Sequence, residues 1–338
     1  MILSGDRLAD VPVDSRGCNG RKLVEDAAGW DFLMLLPQFG IFAQGTAAHR
    51  FLEFRVDSTI GLDQVASAFA SLREPAVTAG GVNLVIGFAP ALWRKLAPAH
   101  APVSLHAFRD VVGADGRKAP ATQYDAWLWI SGATEDVVFE HARAATAHLG
   151  GVAVVSAEQA CFAQRDSRDL TGFIDGTANP AILDAGVAGL VPPGEVGEGG
   201  SHVLVMRWEH KLDQFDALTV TEQEAVFGRT KVDSVELDSA QKPPTAHIAR
   251  VELRGDGGQE MPIYRRSVPY GSTDVHGLYF VAFSADPGRF DKMLARMFGA
   301  NGDGLYDRLT DFSRPVSGSF YFAPALSLLA ELSSRPDP

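Results

Sequence analysis

Two stretches of this chain repeat one pattern, and the pattern limits the folds open to it. Residues 47–56 read as a strand because their apolar side chains alternate. The turn Asp57-Ser58-Thr59 follows, and residues 62–72 set Val65, Ala66, Phe69 and Leu72 on one helical stripe. The same order returns late in the chain: residues 276–283 read as a strand and residues 287–298 as a helix. The paired segments, 49–72 and 276–298, are of similar length. A chain that uses this unit twice must cover two sheet faces and two helix stripes. Antiparallel sheets carrying helices on one side do so.

The intervening segments extend the pattern. Residues 82–87 form a short apolar strand, and residues 90–96 a helical turn whose face carries Leu92 and Trp93. Residues 124–132 contain the buried strand Trp127-Leu128-Trp129-Ile130. Residues 134–149 read as a helix with Phe139, Ala142, Ala145 and Leu149 on its apolar face, and residues 151–156 as a strand. Residues 201–208 are a further strand, and Thr219-Val220-Thr221-Glu222 is a capping-box start. Pro269-Tyr270-Gly271 reads as a tight turn that fixes the side chains around it. The expected architecture is α+β, with two ferredoxin-like sheets packed face to face. Residues 1–36 lack steady periodicity and form an arm of unknown role. Residues 37–156 make the first half and 157–330 the second. The stretch 190–200, rich in Gly, Pro and Glu, is a surface loop within the second half.

The net charge of −12 argues against a nucleic-acid partner or a basic membrane-surface binder. No segment approaches the roughly 20 apolar residues of a membrane span. The first 25 residues carry Asp6, Asp10, Asp14 and Glu25 and no apolar core of a secretory signal, so a cytoplasmic location is expected. Cys18 and Cys161 fit no metal-ligand spacing, and no HExxH or paired-cysteine pattern points to zinc.

The chemistry centres on Gly172-Phe173-Ile174-Asp175-Gly176-Thr177-Ala178-Asn179-Pro180. An aspartate between two glycines in apolar surroundings reads as a rigid loop presenting one carboxylate to a pocket. His247, approached through Pro243 and Pro244, and Arg265, beside Arg266, are the other candidates. Each has a plain alternative: Asp175 as a turn former, His247 as a structural histidine, the arginine pair as a solvated face.

Taken together, these motifs resemble the dye-decolorizing peroxidases. Arg168-Asp169-Leu170-Thr171-Gly172-Phe173-Ile174-Asp175-Gly176-Thr177 looks like the family's GxxDG signature with its RDL lead-in. Arg207-Trp208 with Gly228-Arg229-Thr230-Lys231, Ala246-His247-Ile248-Ala249-Arg250, Arg265-Arg266-Ser267-Val268-Pro269-Tyr270-Gly271 and Val316-Ser317-Gly318-Ser319-Phe320-Tyr321-Phe322-Ala323-Pro324 look like the rest, in the family's order. The resemblance spans about residues 37–330 and is nearest the compact bacterial branch of YfeX-like proteins. Ala178 departs from it, standing where the family often has Glu before Asn-Pro.

The resemblance implies two halves of the dimeric α+β barrel type and one heme b per chain, held mainly by the second half. His247 would be the proximal iron ligand. Asp175 and Arg265 would form the distal pair, with Ser267 lining the distal pocket and Ile174, Gly176 and Thr177 against the cofactor. Arg229 would meet a heme propionate, and Leu278 and Phe280 would pack on the macrocycle. An imidazole ligand donates more strongly when its other nitrogen bonds a carboxylate. Asp307 matches that position, with Asp311 as the competitor. The implied activity reduces hydrogen peroxide and oxidises bulky aromatic, dye or phenolic donors by one-electron steps. An aspartate base implies an acidic optimum. Tyr264, Tyr279, Tyr306, Tyr321, Trp127, Trp129 and Trp208 are candidate electron carriers. Small aromatic reductants are the expected partners, and a homo-oligomer the expected assembly. The alternative from another class is a heme-handling protein, for storage, transfer or iron release, which needs His247 but neither Asp175 nor Arg265.

Overall fold

The structure is a computed structural model and describes residues 36–72, 81–255 and 257–333. The arm expected at residues 1–36 lies outside them except for Leu36. The first half contains β1 (Ala48–Val56), α1 (Leu62–Ala70), β2 (Val82–Phe88), α2 (Pro90–Leu96), the small hairpin β3 (Val111–Val112) and β4 (Lys118–Ala119), β5 (Ala126–Gly132), α3 (Glu135–Leu149) and β6 (Ala153–Phe162). The chain continues through α4 (Ala185–Gly189), β7 (Ser201–His210), α5 (Leu212–Asp216), α6 (Val220–Phe227), α7 (His247–Val251), β8 (Tyr264–Arg265) and β9 (Val268–Gly271). It ends with β10 (His276–Ser284), α8 (Gly288–Phe298), β11 (Ser313–Pro315), β12 (Ser319–Ala323) and α9 (Leu326–Ser333).

The repeat seen in the sequence is a repeat of topology. The main sheet runs β6-β1-β5-β2-β12-β7-β10-β8. Numbered within each half, β6-β1-β5-β2 and β12-β7-β10-β8 have the same order, fourth-first-third-second, which is the ferredoxin-like arrangement. The halves meet edge to edge where β2 and β12 pair, at the rung Phe322↔Phe88. They also meet face to face: the ring of Phe51 on β1 stacks on Tyr279 of β10 with centroids 3.9 Å apart. Val85, Trp127, Trp129, Val203, Val205, Val281 and Tyr321 complete that shared interior. Helices cover the outer faces. On the first half, α1, α2, α3 and α9 pack over Leu52, Phe54, Ile86 and Leu128. On the second, α8 buries Phe290, Met293, Leu294, Met297 and Phe298, the i, i+3, i+4, i+7, i+8 stripe, against the β7–β10 side.

Two expectations are corrected. Phe139 is exposed, and Val138 fills the core with Ala142, Ala145 and Leu149. The ring of Phe139 instead lies under the Arg50 guanidinium, 5.3 Å from its centroid. Pro269-Tyr270-Gly271 is no turn but part of β9, whose Pro269 sits opposite Leu278 of β10. Proline has no N–H to give a ladder, and a short edge strand does not need one there. Tyr270 is buried and its hydroxyl donates to the Trp208 carbonyl at 3.1 Å. The capping box at Thr219 and Glu222 forms as read. Among the described residues no helix is long and apolar enough to cross a membrane.

Candidate active site

The loop after β6 is built to hold one carboxylate still. Arg168 staples it: the guanidinium donates to the carbonyls of Gly172 (2.8 Å), Lys231 (2.7 Å) and Val232 (2.9 Å) and pairs with Asp166. The backbone turns through Gly172 at φ +87° and Gly176 at φ +78°, where an L side chain is strained, and a Cβ on Gly172 would also meet Lys231. The Asp175 amide donates to the Ser167 carbonyl at 2.9 Å, and Asp175 Oδ1 accepts from the Gly176 amide at 2.7 Å. Burial raises the Asp175 carboxyl above the usual range, against the pull of the Arg265 charge and the Gly176 N–H, and the Asp169 carboxylate adds to the rise.

Arg265 is delivered by β8 and is tied to the same loop. The Asn179 side chain accepts from the Arg265 amide at 3.0 Å and donates to the Arg265 carbonyl at 2.9 Å. Strand alternation then separates the two arginines. Arg265 lines the cavity, while Arg266 turns inward, donates to the Ile41 carbonyl at 3.0 Å and lies over Trp129.

Across the cavity, Pro243 and Pro244 lead into α7, which begins at His247. Buried Arg250 pins this short helix to α8 by donating to the Arg296 carbonyl at 3.0 and 2.8 Å, and it pairs with Asp303 at 2.7 Å. His247 Nδ1 lies 2.6 Å from Asp307 Oδ2. Asp307 is fully buried and its other oxygen accepts from the Leu309 amide at 2.9 Å. A carboxylate only accepts, so Nδ1 is the donor, and in the neutral imidazole this leaves the lone pair on Nε2. Asp311 points elsewhere and pairs with Arg117.

Ile174, Asp175, Gly176, Thr177, Arg229, His247, Arg265, Leu278 and Phe280 all border one cavity, of about 1110 Å³ with its mouth included. Asp307 stands behind His247. Ser267 does not line this cavity; its hydroxyl is 3.4 Å from the Val281 amide. The rest of the lining is mostly apolar, among it Met206, Trp208, Phe227, Met293 and Met297, with Asp169, His210, Glu252 and Ser313 as its polar members. No cluster of three or more His, Cys, Asp or Glu side chains among the described residues could cage a metal. The His247 imidazole, its Nδ1 already committed to Asp307, in a large and mostly apolar cavity instead fits an iron whose other ligands come from a macrocycle. Arg229, on the cavity wall and bonded to the Ser234 carbonyl at 2.9 Å, fits an acidic substituent of that macrocycle.

The sequence reading missed a second carboxylate–imidazole pair on this wall. His210 Nε2 lies 3.0 Å from Asp169 Oδ1, and His210 Nδ1 lies 2.8 Å from the Ser313 hydroxyl. Burial pushes the Asp169 carboxyl up, but His210 and Thr171 outweigh it and pull the carboxyl down to about 2. The signal was available: Met206, Trp208 and His210 share one face of β7 at period 2.

An α+β fold of two like halves, with a carboxylate-backed imidazole, an acid and an arginine bordering one large cavity, is the layout of a heme peroxidase. The Dyp-type peroxidase N-terminal model matches residues 38–163 and the C-terminal model residues 166–328. The dye-decolorizing peroxidase of Rhodococcus erythropolis is 35% identical over 263 residues, 77% of each chain. Among solved structures, a putative Dyp-type peroxidase from Shewanella oneidensis superposes with a TM-score of 0.82 at 30% identity, over 88% of this chain and 99% of that one. A variant of DypB from Rhodococcus jostii RHA1, in complex with heme, gives 0.79 at 32% identity over 88% and 99%. The chain belongs to the dye-decolorizing peroxidase family, whose members are heme enzymes, and it is a peroxidase of that type.

Proposed function

We propose that this chain reduces hydrogen peroxide at a heme b held by His247 and takes single electrons from aromatic or phenolic donors. The supporting observation is that Asp175 and Arg265 border the same cavity as an imidazole whose Nδ1 is already committed to Asp307. Bound there, heme would supply the iron and the oxidising power. The protein's part is to hold, orient and move protons. Asp307 fixes the His247 ring and increases its basicity toward iron. Asp175 takes the proton from the nearer peroxide oxygen and returns it to the departing one, so that water leaves. Arg265 offsets negative charge that grows on the departing oxygen. Asn179 holds the Arg265 backbone against the Asp175 loop, which keeps acid and cation in one geometry. Arg229 would hold a propionate, and Leu278 and Phe280 would pack on the ring.

The test is stopped-flow absorbance of heme-loaded protein mixed with one equivalent of hydrogen peroxide, wild type beside Arg265→Leu. A fast change of the Soret band, slowed roughly 10²–10³-fold in the variant, is the expected outcome. A slow change of equal rate in both would sink the reading and leave the heme-handling alternative, which has no use for a distal acid and cation.

A further inference from the structure

Behind the heme face of the sheet lies a second chamber that the peroxide chemistry does not use. Leu278 and Phe280 of β10 face the first cavity, so Tyr279 between them faces the interior. Arg207 of β7 does the same between Met206 and Trp208, and it is the cross-strand partner of Tyr279. With Phe51, Glu53, Ala157 and Ser317 they border a cavity of about 480 Å³, mouth included. Arg207 Nε is buried without a hydrogen-bond partner, and the indole N–H of Trp127 points at the oxygen of the Tyr279 hydroxyl. Tyr279 is 3% exposed and Trp127 0%. Orphaned buried donors are uncommon in a finished fold. Arg207 forms no ion pair among the described residues. Glu53 feels the Arg207 charge but forms no hydrogen bond with it; its carboxylate accepts from Tyr321 Oη at 2.5 Å and Ser319 Oγ at 3.1 Å. Burial also raises the Glu53 carboxyl, so it favours the neutral form more than an ordinary glutamate does. The apolar surface is aromatic, since Phe51 stacks on Tyr279 at 3.9 Å and on Trp127 at 6.1 Å.

We propose that this chamber binds a small single-ring aromatic carboxylate, with the carboxylate on the Arg207 guanidinium and the ring against the Phe51–Tyr279 stack. An unpaired guanidinium selects a carboxylate through its fork of donors, the aromatic wall selects a flat ring, and the volume suits one ring. The inference stands on the chamber alone and does not rest on the peroxidase reading, so its test contains no peroxide.

The experiment is calorimetric titration of 4-hydroxybenzoate into the heme-loaded protein, with 4-hydroxybenzamide as the uncharged match. Wild type, Arg207→Met and Ala157→Leu are compared, the last reducing the chamber's volume at an apolar lining residue. Saturable binding of the acid is expected, weakened at least tenfold in the amide and in both variants. The amide comparison uses wild-type protein and so survives any folding defect in a variant. Absence of saturable binding, equal affinity for acid and amide, or displacement of the acid by cyanide, which would locate it at the heme, each overturns the proposal.

Discussion

The Asp175 carboxyl is raised by burial and restrained by Arg265, and both effects have measurable signs. In the proposed mechanism, peroxide activation needs the ionised form. Its rate should therefore fall as pH drops through a midpoint above that of an ordinary carboxylate, which narrows the acidic optimum expected from an unperturbed aspartate. The Arg265 charge favours the ionised carboxylate, so a stopped-flow pH profile of Arg265→Leu should show its acid limb moved upward. A limb that stays put would mean another group titrates. Stability responds oppositely. A carboxyl raised on folding contributes stability below its unfolded pKa and loses it as pH rises through the folded one. At neutral pH Asp175 is a burden on the fold, and Asp175→Asn should raise the melting temperature of the heme-free protein while disabling peroxide cleavage. Asp169 has the other sign: held at about 2 against an ordinary 3.8, it contributes stability above its unfolded pKa. That contribution drains away between about pH 4 and pH 2, and Asp169→Asn should flatten the stability curve in that window in urea titrations.

Elements decide how far a sequence can be read. The loop with Asp175, the capped start of α6 and the stripe of α8 were legible because each is a local pattern: glycines around an acid, Thr with Glu three places on, a 3.6-residue period. The Phe139 error was a one-residue phase error on α3, which short windows do not resolve when Val138 and Phe139 are both apolar. β9 was misread because Pro-Tyr-Gly is turn chemistry, and only the neighbouring β10 makes it an edge strand. The pairing of His247 with Asp307 rather than Asp311 could be ranked in the sequence, but the contact itself joins residues 60 apart and depends on where the Met297 carbonyl holds the Asp307 amide, at 2.8 Å. The two-bond clip of Asn179 on β8 was invisible for the same reason. Its consequence is specific. Asn179→Ala should leave heme content and the Soret maximum unchanged and slow the peroxide reaction about tenfold or more, because the loop and Arg265 then move independently. Asp307→Asn should act on the other side of the cavity. Heme affinity should fall about 10–100-fold, read by transfer of heme to apomyoglobin.

At the scale of the molecule, the two halves share a topology but not a task. The helix side of the first is closed by α1, α2, α3 and α9. The corresponding side of the second is opened into a cavity by displacing the wall to α7, α8 and the Asp175 loop. Between them the interior is packed with aromatic rings, and Phe51→Ala should cost about 3–5 kcal/mol in chemical denaturation, because its ring touches residues of both halves.

That edge-and-face seam bears on how the chain can be divided. One rung joins β2 to β12; the stacked interior and the packing of α9 on the first half join the halves as well, and both are complementary surfaces, not covalent tethers. A chain severed between residues 163 and 166, in the gap separating the two matched family regions, therefore yields two fragments that each display a sticky aromatic face and an open strand edge. Alone, each should aggregate. Made together in one cell, they should find each other and rebuild the heme pocket, behaving as a heterodimer cut from a single gene.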